Sequence, residues 1–112
     1  MYFKDLFEEK GTYDVIKVKI GWLDPIAPYQ SGECPKEVVE KLKQLKPVIH
    51  TKGWHDCPYC QNATSSKQYL IEVPGRGKNI MYDIPEMIIH YIEEHEYLPP
   101  QEFIDTIINL NK

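Results

Sequence analysis

Two cysteines stand three positions apart near the middle of the chain, in Cys57-Pro58-Tyr59-Cys60, and this pair constrains the fold more than any other feature. Thiolates at that spacing lie on one tight turn, where both sulfurs can bind the same soft cation, most often zinc. Two sulfurs leave a tetrahedral ion half coordinated. The sequence supplies two histidines downstream, His90 and His95, with four residues between them. We therefore predict a Zn²⁺ site whose ligands are Cys57, Cys60, His90 and His95.

The choice of the last ligands stays open at the level of sequence. Five residues of an ideal helix turn through about 500°, so His90 and His95 would point about 140° apart. Both can bind one ion only if the helix distorts or ends near His95, and a proline pair that follows favours an ending there. His55, two residues before Cys57, competes for a place in the shell. Three further residues are weaker candidates: Asp56, His50 and Cys34.

The cysteine pair also permits an enzymatic interpretation. Cys-Pro-Tyr-Cys is the active-site tetrapeptide of glutaredoxins, in which a first cysteine of low pKa begins a helix after an early strand. Here the pair lies mid-chain, and the residues from Gln61 to Ser66 form helices poorly. A shell of only three protein ligands would leave a position for water, with Glu93 or Glu94 as a base. A small zinc- or thiol-dependent enzyme, hydrolase or glutaredoxin-like, is therefore the alternative function.

Apolar and β-branched runs predict the strands. Residues 14–22 alternate in character, which predicts a strand whose Lys17 and Lys19 face water. Three more strand segments are expected, the last two paired across the turn Pro74-Gly75-Arg76-Gly77: residues 48–51, 68–73 and 78–83. The stretch from Gly21 to Pro35 is rich in proline and glycine, so we expect a loop packed by Trp22, Leu23 and Tyr29.

Helical spacing of apolar residues predicts three helices. The first follows Pro35 and ends before Pro47, and the third covers residues 101–110. Between them, Asp83 and Glu86 form a capping-box pattern that opens the helix with the two histidines. The predicted fold is therefore α+β, a small mixed or antiparallel sheet with a zinc knuckle and two or three helices. At this length we expect one domain over residues 1–112.

Charge and hydropathy exclude several classes of function. The formal net charge is -4, and residues 83–111 contain seven acids but no lysine or arginine, which disfavours a nucleic-acid-binding surface. No segment has the roughly 18 apolar residues of a membrane helix, and the first residues lack a signal-peptide pattern. We therefore expect a cytoplasmic protein with neither nucleic-acid nor membrane partners. Its three cysteines, an odd number, disfavour a disulfide framework.

Four stretches of the sequence together resemble a family of small uncharacterised bacterial proteins. They are Tyr2-Phe3-Lys4-Asp5-Leu6, Gly21-Trp22-Leu23-Asp24, the segment Gly53 to Cys60, and the segment His90 to Pro100. The resemblance covers nearly the whole chain, and the combination of Trp-His-x-Cys-Pro-x-Cys with His-Tyr-x3-His-x-Tyr-x-Pro-Pro is specific. It implies a single domain and supports the predicted site, but it implies no activity.

The predicted site favours a structural role over catalysis. Four protein ligands would close the coordination shell, so the metal would contribute folding energy. We expect a non-enzymatic domain that binds a protein partner through its surface. Small acidic proteins of this kind are similar in size and charge to immunity proteins, which neutralise a toxin with a carboxylate-rich face. A cationic toxin, such as a nuclease or deaminase, would be steered to the acidic C-terminal helices.

Overall fold

The computed structural model describes residues 2–49, 54–60 and 62–110, and within these ranges strands and helices occur as in an α+β fold. The strands are β1 (Glu8–Lys10), β2 (Ile16–Lys19), β3 (Val48–Ile49), β4 (His55–Asp56), β5 (Thr64–Ser65), β6 (Lys67–Glu72) and β7 (Ile80–Pro85). The helices are α1 (Lys36–Gln44), α2 (Ile88–His95) and α3 (Gln101–Ile108). The predicted fold class is confirmed. The end of the predicted strand at 48–51 lies outside the described residues.

The main sheet is mixed and has the strand order β1-β2-β7-β6-β3. The predicted hairpin of β6 and β7 is antiparallel, with Ile71 opposite Tyr82, and so are the pairs at the two edges of the sheet. Among the strands of the described residues, only β2 and β7 run parallel, with Lys19 opposite Asp83. This parallel pair joins the N-terminal strands to the C-terminal half of the chain, a contact that local sequence patterns do not reveal.

The helices pack their apolar stripes on each other and on the sheet. Helix α1 buries Val38, Val39 and Leu42, as its 3.6-residue periodicity predicted. Helix α3 buries Phe103, whose ring meets the Tyr82 ring of β7 edge-on at 5.2 Å between centroids. The Lys41 ammonium of α1 donates to the carbonyls of Ile108 and Leu110 at 2.7 and 2.9 Å, so a cation satisfies the end of α3.

The prediction that Lys19 faces water is wrong. Lys19 is only 5% exposed, and its ammonium donates to the Asp83 carboxylate at 2.7 Å and lies 3.2 Å from Glu9. The aromatic rings of Phe3 and Trp22 cover it, with the ammonium 4.3 Å from the Phe3 centroid. The parallel pairing of β2 with β7 sets Lys19 beside an acid, so charge pairing overrides the alternation along the strand.

The predicted capping box is also wrong. Asp83 lies inside β7 and is 1% exposed, and its carboxylate is held by Lys19 rather than by the start of a helix. Glu86 accepts a hydrogen bond from the Ser65 hydroxyl at 2.6 Å. Helix α2 begins at Ile88 without a side-chain cap. The strand β7 therefore continues to Pro85, past the predicted helix start at Asp83, and both carboxylates have tertiary partners instead of a helix to cap.

The loop after β2 is fixed at its beginning. Gly21 has φ +81°, a conformation that favours glycine, and a Cβ at that position would lie in a tight contact 3.2 Å from the Ile88 side chain. Trp22 and Leu23 are buried, as predicted for this loop. The Trp22 indole donates to the Asp83 carbonyl at 2.8 Å.

Among the described residues, no helix has the length and apolar character needed to cross a membrane.

Candidate metal centre

The two cysteines lie in the loop of a short hairpin formed by β4 and β5. Its strands pair His55 with Ser65 and Asp56 with Thr64, and the Cys57 amide donates to the Ala63 carbonyl at 2.9 Å. The Asn62 amide points at the Cys60 sulfur at 3.5 Å. The sequence predicted a metal-binding loop here but not the strands that close it.

Helix α2 ends where the predicted site needs it to end. His95 is its last residue, and Glu96 adopts the left-handed conformation with φ 54°. The amides of Glu96 and Tyr97 both donate to the Tyr91 carbonyl, which completes the C-terminal cap. The loop after β2 holds this end through a bond from the Leu98 amide to the Gln30 carbonyl at 2.9 Å. His90 and His95 thus both lie within α2, with His95 at its last residue and beside the left-handed Glu96.

The structure places the four predicted ligands together. The Nε2 atoms of His90 and His95 lie 3.2 Å apart. The Cys57 sulfur is 3.3 Å from Nε2 of His95, and the Cys60 sulfur is 3.3 Å from Nε2 of His90. All four ligand atoms lie within 4.8 Å of one another. Two sulfurs and two imidazole nitrogens thus converge on one point, in a geometry that could hold a metal ion.

The four residues differ in burial, and burial shifts the pKa of His90. Cys57 is completely buried, whereas Cys60, His90 and His95 are half-buried. Burial lowers the pKa of His90, and the adjacent His95 lowers it further, against the opposing effect of Glu94 and Glu93. A lowered pKa keeps this imidazole neutral, which is the form that binds a metal.

Tyrosines surround the cluster, and sequence reasoning missed their contacts with it. The Tyr59 ring, between the two cysteines in sequence, lies 5.5 Å from the His95 ring and 5.5 Å from Tyr29. Burial raises the pKa of Tyr59 to about 12. The Tyr29 hydroxyl donates to the His95 carbonyl at 2.6 Å and so holds the end of α2. Tyr29 was predicted only as a loop anchor, and no local pattern links it to His95.

The rival ligands lie elsewhere among the described residues. The His55 ring packs edge-on against Trp22 at 5.2 Å, although His55 is only two residues from Cys57. A strand points alternate side chains to opposite faces, but the chain turns at Cys57, so sequence proximity does not bring His55 to the cluster. Asp56 is exposed, and Cys34 is half-buried with a pKa that burial raises to about 11. His50 lies outside the described residues.

Fold and cluster together define this chain as an α+β domain with a Cys₂His₂ cluster that could hold a metal ion. The chain belongs to the family described as Domain of unknown function (DUF7919), whose family model matches residues 1–108. This match confirms membership of an uncharacterised family. No curated protein and no solved structure matches the chain.

Proposed function

We propose that this chain is a non-enzymatic, zinc-stabilised domain that binds a protein partner through the acidic surface of its C-terminal helices. The observation that carries the metal part of the proposal is the convergence of two thiol sulfurs and two Nε2 atoms on one point. The partner part rests on the distribution of exposed charge.

Three of the six distances between the donor atoms are close to those of a tetrahedral zinc ion. With Zn–N bonds of about 2.0–2.1 Å and Zn–S bonds of about 2.3 Å, a tetrahedron has edges of about 3.3 Å between nitrogens and about 3.6 Å between nitrogen and sulfur. The corresponding distances are 3.2 Å between the two imidazoles and 3.3 Å for both sulfur–nitrogen pairs. Thiolate and neutral imidazole are also the ligands that zinc prefers over hard cations.

A zinc ion here would stabilise the fold rather than catalyse a reaction. Cys57 and Cys60 belong to the β4–β5 hairpin, and His90 and His95 belong to α2, so one ion would join two elements far apart in sequence. Four protein ligands leave no coordination position for water or substrate. The thiol-enzyme alternative gains no support from the geometry, because Cys57 is completely buried and lies in a hairpin rather than at a helix start.

The partner proposal rests on five exposed carboxylates in α2 and α3 and the segment between them. Of the seven acids in the C-terminal third, Asp83 and Glu86 are engaged inside the fold. The exposed ones are Glu93, Glu94, Glu96, Glu102 and Asp105. Lys43 of α1 forms an ion pair with one of these acids, Glu93, at 3.2 Å. The remaining negative surface would attract a cationic protein, such as a toxin neutralised in an immunity-type interaction.

The metal proposal is tested by zinc stoichiometry and by Co²⁺ substitution, in which a thiolate-rich tetrahedral site gives intense visible absorption. The wild-type chain should bind one ion per molecule. His95→Ala should lose at least tenfold in affinity, whereas the matched control His55→Ala should bind like the wild type, because His55 packs against Trp22. Equal losses in both variants, or a wild-type chain that binds no ion, would contradict the proposed ligand set.

The partner proposal is tested by capture from the native host, followed by measurement of the affinity of the purified pair. A double variant, Glu94→Gln with Glu102→Gln, should weaken association, because both side chains are exposed acids. Glu72→Gln, an exposed acid on β6, is the control. The affinity should fall as salt rises, since screening shortens the reach of surface charge to about 8 Å at physiological ionic strength. Binding that is indifferent both to salt and to the double variant would refute steering by this surface.

A further inference from the structure

A cavity of about 310 Å³ lies between the N-terminal segment and the loop that follows β2. Its volume falls at the lower end of the range of roughly 300–1,000 Å³ that is typical of small-ligand pockets. Apolar and aromatic side chains dominate its wall: Tyr2, Phe3, Leu23, Pro28, Tyr29 and Pro100. None of the four clustered ligands lines it, so it is a separate feature from the candidate metal centre.

One carboxylate, Asp5, belongs to this wall. Its Oδ1 accepts a hydrogen bond from the Gly21 amide at 3.0 Å, and its Oδ2 accepts one from the Tyr97 hydroxyl at 2.7 Å. A carboxylate offers about four acceptor positions, so two remain available. Within the described part of the chain, Asp5 has no lysine or arginine partner within 4.0 Å.

The surroundings make this negative charge costly. Burial raises the pKa of Asp5, and the hydrogen bonds from Gly21 and Tyr97 only partly oppose that effect. The cation in the lining is Lys4, whose side chain is exposed to solvent. Asp5, whose carboxylate is incompletely compensated, is therefore part of a cavity wall that is otherwise mostly apolar and aromatic. A cationic group would compensate the charge, whereas a neutral ligand would not and an anion would be repelled.

Hydrogen bonds and ring contacts within the chain hold the cavity wall in place. Tyr29 is fixed by its hydrogen bond to the His95 carbonyl and by edge-on contact with the Tyr97 ring at 5.9 Å. Phe3 is fixed by its amide, which donates to the Trp22 carbonyl at 3.1 Å, and by stacking on Phe7 at 5.8 Å. A preformed wall reduces the ordering cost of binding, which favours recognition of a small group.

We propose that this cavity binds an alkylammonium group, with the cation beside the Asp5 carboxylate and the alkyl chain against the aromatic lining. Ammonium groups gain from both kinds of surface, through charge pairing with the acid and through attraction to the faces of aromatic rings. The group can come from a free primary amine or from a lysine side chain of another protein, and the chemistry is the same. The inference does not depend on zinc or on the acidic helices.

The test is titration of the full chain, followed by amide NMR shifts or calorimetry, with three probes of similar size. They are n-butylammonium, N-acetyl-lysine methylamide and its neutral analogue N-acetyl-norleucine methylamide. Both ammonium probes should bind at least tenfold more tightly than the norleucine compound. If N-acetyl-lysine methylamide binds more tightly than n-butylammonium, the site recognises a lysine side chain of another protein. If n-butylammonium binds more tightly, the site recognises a free amine.

The matched variants are Asp5→Asn and Asp14→Asn, the latter at an exposed acid outside the cavity. Asp5→Asn should weaken binding of the ammonium probes at least tenfold and leave the norleucine compound unaffected, whereas Asp14→Asn should change neither. Because Asp5 also supports Gly21 and Tyr97, its variant can lose stability, but the wild-type comparison of lysine with norleucine needs no variant. Equal binding of those two probes, binding of none, or equal losses in both variants would overturn the proposal.

Discussion

Replacement of Cys57 by serine tests the central claim about the cluster most directly. Cys57 is completely buried, and its sulfur lies 3.3 Å from Nε2 of His95. A serine hydroxyl is nearly the same size but is a poor ligand for zinc, so the substitution removes one of four ligands and changes little else. The expected result is a loss of stability that depends on the presence of the metal.

The magnitude follows from the linkage between binding and folding. An ion at 1,000 times its dissociation constant stabilises the folded chain by about 4 kcal/mol, provided that the unfolded chain does not bind it. A domain of this length loses about 4 °C in Tm for each kcal/mol, so loss of the ion alone should lower the Tm of Cys57→Ser by about 16 °C in zinc, in addition to the effect of the buried hydroxyl. In chelator the two proteins should differ only by the cost of the buried hydroxyl, about 1–2 kcal/mol.

The assay is calorimetric melting of three proteins, each with zinc and with a chelator in excess. Cys34→Ser is the matched control, because Cys34 is a half-buried thiol outside the cluster. It should follow the wild type in both conditions. The reasoning is refuted if chelator leaves the wild-type melting temperature unchanged, or if Cys34→Ser loses the response to zinc as fully as Cys57→Ser.

Four further predictions concern the fold around the site. Phe103→Ala empties a completely buried position and should cost about 3–5 kcal/mol in urea unfolding, with an unchanged slope. Lys19→Met leaves the Asp83 carboxylate buried without its cation and should cost about 3–5 kcal/mol by the same measurement, whereas a cost near zero would contradict the ion pair. Glu96→Gly relieves a positive φ and should raise the unfolding free energy by up to about 1 kcal/mol. Burial raises the pKa of Asp5 above 3.8, so protonation of Asp5 favours the folded state; its contribution is complete below pH 3.8 and disappears as the pH rises through the folded pKa, which carboxyl ¹³C NMR measures directly.

Helices α1 and α3 show how much of this fold can be predicted from local sequence. Both combine a proline just before the helix start with apolar residues at helical spacing, and both lie within the predicted ranges. The hairpin of β6 and β7 was predictable for a similar reason, since a turn sequence separates two β-branched runs. In these elements, propensity, periodicity and burial agree.

The errors occur where a tertiary partner overrides a local pattern. Lys19 and Asp83 are 64 residues apart, and each was assigned wrongly because each was considered without the other. Strand alternation placed Lys19 in water, and a capping-box pattern placed Asp83 at a helix start. The parallel pairing of β2 with β7 brings the two together in the interior, where neither charge is tolerated without its partner.

In the candidate metal centre, too, one part could be predicted from local sequence and another part depended on tertiary contacts. The spacing of Cys57 and Cys60 by itself determined a two-sulfur turn, because two residues between thiols leave both sulfurs on one side of the chain. Which histidine lies beside the two sulfurs, His95 rather than His55, was decided only by the tertiary structure. Helix α2 ends at His95 because a loop some 65 residues earlier, through Gln30 and the Tyr29 hydroxyl, holds its last turn. Helix termination depends on which groups satisfy the final carbonyls and amides, and here those groups come from a distant segment that no local pattern identifies.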